Sequence, residues 1–268
     1  IKGKMKIGLL GFGAINQKVY QYFSKINTNI RFNKILVRNA KKYNYLNNDL
    51  ITDVPDIFFE ERFDYVLEGA GHDALFSHGP QVLKNQSNIL ITSTGALTDD
   101  SFFEKLISLS TKYNSKIMIP SAGIGALDIL TASSYGKLNE VNITVRKNTE
   151  AWFGTIAEKK FDLKNYDENL VLFSGTVREG AKLYPQNVNI SATVALSGLG
   201  LDKTNLKIIS DSSIKTHIIT VNAKGDFGEF NFEENVIPYE ENQKTGKIVS
   251  LAIIKSIQNL SSNFVVGT

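Results

Sequence analysis

One cluster in this 268-residue chain has residue types and spacing suited to chemistry, and a second stretch holds a lone histidine. The first is Gly11-Phe12-Gly13-Ala14-Ile15, which follows the apolar run Ile7 to Leu10 and precedes Val19, Tyr22 and Phe23 at helical spacing. That pattern is strand, glycine turn, helix. Such a turn offers backbone N–H groups at a helix N-terminus, where the partial positive charge favours a pyrophosphate. Gly11 permits the tight turn, and Gly13, lacking Cβ, lets a phosphate approach the backbone. The pattern is incomplete: Asn16 stands where a third glycine is usual, so a looser or slightly shifted first helical turn is expected. An ordinary strand–helix turn is the alternative. The lone histidine is His217, in Asp211-Ser-Ser-Ile-Lys-Thr-His-Ile-Ile-Thr-Val221. A histidine's unperturbed pKa of about 6.5 suits proton movement near neutral pH, whereas a strand residue with a satisfied ring is the plainer reading.

Other positions extend the first cluster. Arg31 to Val37 reads as a second strand, and Arg38-Asn39 follows it. An acid there would bond the ribose hydroxyls of NAD, while an arginine accommodates the extra phosphate of NADP. Arg38 therefore points to NADP being accepted beside NAD, or it is one cation of a basic loop with Lys41 and Lys42. Tyr65 to Gly71 is a buried strand ending in Gly69-Ala70-Gly71, small residues of the kind a doubly wound sheet presents to a ligand at its carboxyl edge. Ala70 and Gly71 are thus candidate cofactor contacts. His72 lies beside Gly71 and so near the expected cofactor, whereas His78 reads as a capping or packing residue. Glu68 and Asp128 read as a strand-end polar group and a helix-stabilising acid, with proton transfer as the alternative. Lys147 and Lys244 are candidates for a substrate carboxylate, or solvated lysines.

The elements that must position these groups alternate through the first half. Beyond those named, Leu46 to Phe59 reads as loop and short strand. A helix over Asp73 to Asn85 is expected to break at Pro80. Asn88 to Thr94 and Lys116 to Pro120 read as strands, with a helix over Asp100 to Asn114 between them. Strands alternating with helices predict a Rossmann-type parallel sheet in an α/β domain over 1–120. The character changes at Ser121-Ala-Gly-Ile-Gly-Ala-Leu-Asp128, which enters a helix to Lys137. Strands follow over 140–146, 169–174, 206–210, 217–223 and 228–232, with helices over 177–184 and 190–199. They predict a second α+β domain, 121–243, with a mostly antiparallel sheet. A last helix over 245–260 is expected to pack back on the first domain.

Composition excludes several function classes. The net charge of +3 is small and its basic residues are dispersed, so nucleic acid is not an expected partner. No stretch is long and apolar enough to span a bilayer. Cysteine is absent, which removes disulfides, thiolate catalysis and cysteine zinc sites, and the 3 histidines are too scattered for a metal. A cytoplasmic protein without a signal peptide is expected, with Met5 as the natural start and residues 1–4 a ragged remnant before it.

Taken together the motifs resemble the L-aspartate dehydrogenase family over nearly the whole length. They are Gly11-Phe-Gly-Ala-Ile15, Glu68-Gly-Ala-Gly-His72, His78-Gly-Pro80, Thr94-Gly-Ala96 and Pro120 to Asp128, then Trp152-Phe-Gly-Thr155, Phe173-Ser-Gly175, Pro185-Gln-Asn-Val-Asn-Ile-Ser-Ala-Thr193, Asp211 and Lys244-Thr245. The resemblance implies oxidative deamination of L-aspartate to iminoaspartate or oxaloacetate with NAD or NADP, feeding nicotinamide cofactor synthesis. It implies cofactor contacts at Gly123, where the family has alanine, and at Asn189. It also implies a catalytic histidine in an Asn-x-His pattern. Counted from Asp211 without a gap, that histidine falls on Ile219 and its asparagine on His217. His217 serves if the preceding loop slips by two residues. A related oxidoreductase on another amino or keto acid, and a cofactor-binding regulatory protein without turnover, are the alternatives. A homodimer through the second sheet is a fold-level expectation.

Overall fold

The computed structural model describes residues 4–26, 29–166, 168–240 and 242–267, with the side chains of Gln186 and of 242–244 outside that description. It divides into two compact units, 1–120 with Ser250–Val266, and 121–249 with the last two residues.

The first unit alternates strand and helix. Its elements are β1 (Met5–Leu10), α1 (Ala14–Ser24), β2 (Ile30–Leu36), β3 (Ile51–Thr52), α2 (Pro55–Phe59), β4 (Tyr65–Glu68), α3 (His72–Lys84), β5 (Asn88–Ile91), α4 (Asp100–Lys112) and β6 (Ile117–Met118). The sheet runs in the order β3-β2-β1-β4-β5-β6 with every pair parallel. The order reverses beside β1, so the carboxyl ends of β1 and β4 flank the crevice where open α/β sheets bind ligands. Near-continuous apolar strands are buried, with Ile7, Leu9, Leu10, Val66, Leu67 and Ile89 to Ile91 all within the core.

Two expectations about secondary structure fail in this unit. Helix α3 does not break at Pro80 but runs through it to Lys84. Gly79 and Pro80 are both buried, and a Cβ on Gly79 would lie 2.8 Å from Leu75. Tight packing holds the helix together across the missing N–H. Helix α2, begun by Pro55 at its first position, occupies part of a stretch expected to be loop and short strand.

The second unit contains α5 (Leu127–Ser133), β7 (Leu138–Lys147), α6 (Ile156–Lys160), β8 (Asn169–Thr176), α7 (Val177–Leu183), α8 (Asn189–Ser197), β9 (Thr204–Asp211), β10 (His217–Gly225), β11 (Gly228–Val236), β12 (Pro238–Tyr239) and β13 (Asn242–Gly246). Its large sheet runs β11-β10-β7-β9-β8. Only β7 and β9 are parallel; the other pairs are antiparallel. One face is apolar: Val141, Ile143 and Val145 on β7, Leu206 and Ile208 on β9, and Ile219, Val221 and Ala223 on β10 join Trp152, Tyr184 and the helices in one core. Residues 242–246 form a strand rather than the start of the last helix, which is α9 (Ile248–Ser261). Among the described residues, no helix is long and apolar enough to cross a membrane.

Candidate active site

In the first unit the site is built of backbone. Gly11 has φ +82°, and a Cβ there would lie 2.7 Å from the Cβ of Ala70, so only glycine fits between the ends of β1 and β4. Gly13 caps α1 and has open space where a Cβ would project; Gly71, at φ +98°, likewise faces open space. These positions leave room for a phosphate against the turn, which suits the group the fold implies. Ala14 and Ile15 form the first turn of α1, whereas the Phe12 side chain is buried between Tyr20 and Tyr43, leaving its backbone for any contact.

Asn16 does not loosen the helix start. Its buried side chain donates to the carbonyls of Leu10 and Gly11, at 3.1 and 2.9 Å, and fastens the first turn of α1 to the glycine turn. Its Oδ1 lies where a Cβ on Gly69 would come, 2.6 Å away, so Gly69 and Asn16 occupy the space together.

Glu68 ends β4 fully buried, and its carboxylate accepts from five donors. Oε1 takes the N–H groups of Ala70 and Gly71 and the Ser93 hydroxyl; Oε2 takes the N–H groups of Thr92 and Ser93. It holds the ends of β4 and β5 in place and so shapes the edge on which Ala70 and Gly71 sit. Arg38 lies exposed beyond β2, and Asn39 caps the short helical turn carrying Lys41 and Lys42. His72 begins α3, and His78 packs near Phe59, where burial lowers its pKa.

In the second unit the site is built of side chains. The apolar face of the sheet ends in a polar row: His217 on β10 pairs with Lys147 on β7, which pairs with Ser210 on β9. Residues two apart on a strand share a face, so these three continue the layer Ile219, Val145 and Ile208. All three are buried. The Ser210 hydroxyl meets the Tyr166 hydroxyl at 2.7 Å, which also bonds Thr149. Lys147 Nζ lies 5.9 Å from the centre of the Trp152 ring, and the Trp152 indole donates to the Lys147 carbonyl.

The loop before β10 fixes where the histidine falls. Asp211 Oδ1 accepts from the Ser213 N–H and hydroxyl, at 2.9 and 2.6 Å, while Oδ2 faces Arg146 at 3.7 Å. Asn148 Nδ2 donates to the Ile214 carbonyl at 2.6 Å. The turn is thus short and pinned, and β10 begins at His217. Ile219, where gapless counting puts the family's histidine, is buried among Val145 and Glu234. The strand's polar end is His217.

Gly123 and Asn189 are brought close: a Cβ on Gly123 would lie 3.2 Å from the Ile190 side chain, next to Asn189 at the start of α8. The side chain of Lys244 lies outside the described residues. Asp128 sits in the first turn of α5. Sequence reasoning missed Ser210, Tyr166 and Glu234. Glu234 was legible, because β11 keeps its alternation past Phe230 and Phe232, putting Glu234 on the apolar phase. Burial raises its pKa to about 7, against which the Gly125 N–H, donating to it, acts. Its Oε1 is buried without a hydrogen-bond partner.

This is the anatomy of a two-unit NAD(P)-dependent oxidoreductase: a parallel sheet with a glycine turn at its switch point, and a second sheet carrying a buried histidine and lysine. Comparison with known proteins gives the family. Residues 128–260 match the family profile "Aspartate dehydrogenase, C-terminal", and residues 11–120 match "Homoserine dehydrogenase, NAD binding domain". The L-aspartate dehydrogenase of Ralstonia pickettii is 32% identical, covering 95% of this chain and 97% of its own. That of Cupriavidus necator is 37% identical over 75% of each. The crystal structure of aspartate dehydrogenase from Thermotoga maritima superposes with a TM-score of 0.77 at 24% identity, over 98% of this chain and 99% of that one. The chain belongs to the L-aspartate dehydrogenase family.

Two outcomes follow from the carboxylates. Glu68→Gln puts an amide donor against N–H donors that converge on the carboxylate, and a lower stability by about 3 kcal/mol is expected in urea unfolding. For Glu234 the folded pKa is raised, so the folded state holds the extra proton between about pH 4.5 and 7. Stability is therefore lost as pH rises through that window, by about 1 kcal/mol for a carboxyl that is half-exposed and screened by solvent. Glu234→Gln should match wild type near pH 4.5 and exceed it at pH 8, and equal stabilities at pH 8 would contradict this.

Proposed function

We propose that the protein catalyses oxidative deamination of L-aspartate with NAD or NADP, yielding iminoaspartate and, after hydrolysis, oxaloacetate and ammonia. The carrying observation is the buried His217–Lys147–Ser210 row at the end of the second sheet. Membership of a family whose relatives bear this activity's name supports the substrate. Residues 1–120 serve as the dinucleotide domain and 121–243 as the catalytic and oligomerisation domain. Gly11, Phe12, Gly13, Ala14, Ile15, Ala70, Gly71, Gly123 and Asn189 hold the cofactor, mostly through backbone, and Arg38 meets the 2′-phosphate of NADP. The bound nicotinamide supplies the hydride acceptor. Lys147 pairs with a substrate carboxylate, a charge-assisted bond in a site that excludes water. His217 takes the proton released as the amino group becomes an imine and passes it on, then takes one from the water that hydrolyses the imine and returns it to the departing amine, so that one proton is released per turnover. The product would feed nicotinamide cofactor synthesis in the cytoplasm.

The test is oxidation of NADH and NADPH with oxaloacetate plus ammonia. Ammonia-dependent turnover is expected, falling at least about a hundredfold in His217→Ala, with Arg38→Ala weakening NADPH more than NADH. Cofactor binding without turnover would remove the aspartate assignment in favour of another amino or keto acid or a regulatory role.

A homodimer forms through the open face of the second sheet. That face carries a row of amides, Asn205, Asn142, Asn222 and Asn231, one from each of four neighbouring strands. Asn205 bonds Asn142 at 2.8 Å, and Asn222 bonds Asn231 at 2.6 Å. Uncharged groups that both donate and accept suit an isologous contact. Light scattering should give twice the chain mass, and Asn142→Lys with Asn222→Lys should give the monomer; a monomeric wild type would refute the contact.

A further inference from the structure

The helix-covered face of the second sheet holds three titratable side chains on its strands: His217, Lys147 and Glu234. His217 and Lys147 have places in the reaction above; Glu234 has none. It sits on β11 opposite Ile219, while His217 sits opposite Val236. Glu234 and His217 are therefore diagonal neighbours across one antiparallel pair. Such Cα atoms lie about 7–8 Å apart, within reach of two long side chains. Its neighbour Glu233 faces the other way and accepts from the Thr220 hydroxyl at 3.2 Å.

Glu234 is half-buried, with its Oε1 turned away from solvent. The segment Ser121 to Ala126 comes down on β11 so closely that a Cβ on Gly125 would lie 2.6 Å from the Phe232 ring. That segment carries no titratable side chain. It contributes one N–H, from Gly125, to the carboxyl. The other oxygen, Oε1, is buried without a hydrogen-bond partner. A carboxylate oxygen in that state is costly, and a proton relieves the cost. On its own face the charged neighbours are His217 and, one strand further, Lys147.

We propose that Glu234 is the proton acceptor behind His217, taking up on Oε1 the proton that the imidazole has drawn from substrate or water. This rests on the dehydrogenase reading. In the step an N–H bond of the imidazolium breaks and the Oε1–H bond forms. The ring returns to its neutral form, the carboxylate becomes a carboxylic acid, and no electrons change hands. Oxidative deamination to a keto acid and ammonium releases one proton per turnover, so a group able to hold it is needed at each cycle. Glu234 acts through His217 and does not touch substrate. With its pKa raised to about 7, the carboxyl can both take and give up a proton near neutral pH.

The test uses the full-length protein without cofactor, and reads the ring itself. The 3 histidine signals are followed by NMR against pH and assigned with His217→Asn. In Glu234→Gln the His217 midpoint should fall by about half a pH unit or more, because the ring loses an anionic neighbour; Lys147 is present in both proteins and cancels. Reciprocally, with glutamate labelled at its side-chain carboxyl carbon, the Glu234 midpoint should move in His217→Asn. That second arm needs no change at Glu234 and decides the matter if Glu234→Gln does not fold. In turnover assays Glu234→Gln should lose one ionisation from the pH profile and fall at least about tenfold near pH 7. A His217 midpoint unchanged in Glu234→Gln, or a Glu234 midpoint unchanged in His217→Asn, overturns the proposal. Coupled midpoints in a protein inactive on aspartate would retain the proton pair and discard only the substrate.

Discussion

The carboxylate of Glu68 is the constraint on which the first unit depends. A buried anion without a cation is expensive, and five donors converging on it meet that cost. They come from two strand ends, so the interaction fixes the carboxyl edge of β4 against that of β5. With that edge fixed, Ala70 stands where it leaves Gly11 no room for a side chain, and Gly69 shares its space with Asn16. The glycine turn is thus shaped from outside as well as from within. Its open positions, Gly13 and Gly71, are what remains after the buried contacts are made.

The second unit solves a different problem with the same economy. Its sheet presents an apolar face to the helices, and the candidate site lies where that face ends. His217, Lys147 and Ser210 are not grafted onto loops; they are the last register positions of three adjacent strands. A one-residue slip would turn all of one strand's side chains to the opposite face, so the core that fixes register also fixes the site. The turn before β10, held by Asp211 and Asn148, sets the point at which that register begins.

Much of this was legible in the sequence, because alternation and glycine turns are local signals. The parallel sheet, the change of character near Pro120 and the strands of the second unit follow from periodicity. What escaped was set by tertiary context. Pro80 stays inside a helix because Gly79 lets that helix pack tightly. Asn16 is a clamp only because the Leu10 and Gly11 carbonyls lie beside it. The family pattern puts the histidine at Ile219, which is buried in the core, and counting along a chain does not show that β10 begins at His217. Ser210 and Tyr166 are ordinary residues in sequence, and only strand pairing brings them to the polar row.

The places where local rules fail are informative in their own right. An alternating strand that continues an apolar face with glutamate, as β11 does at Glu234, contradicts its own pattern, and so do β7 at Lys147 and β10 at His217. Leucine at any of the three would satisfy the core better. Each polar residue therefore costs stability, and the three costs fall in one corner of one sheet. Scattered violations would suggest tolerance of imperfect packing. Clustered ones, on neighbouring strands and one face, are the pattern expected of a site for which stability has been given up.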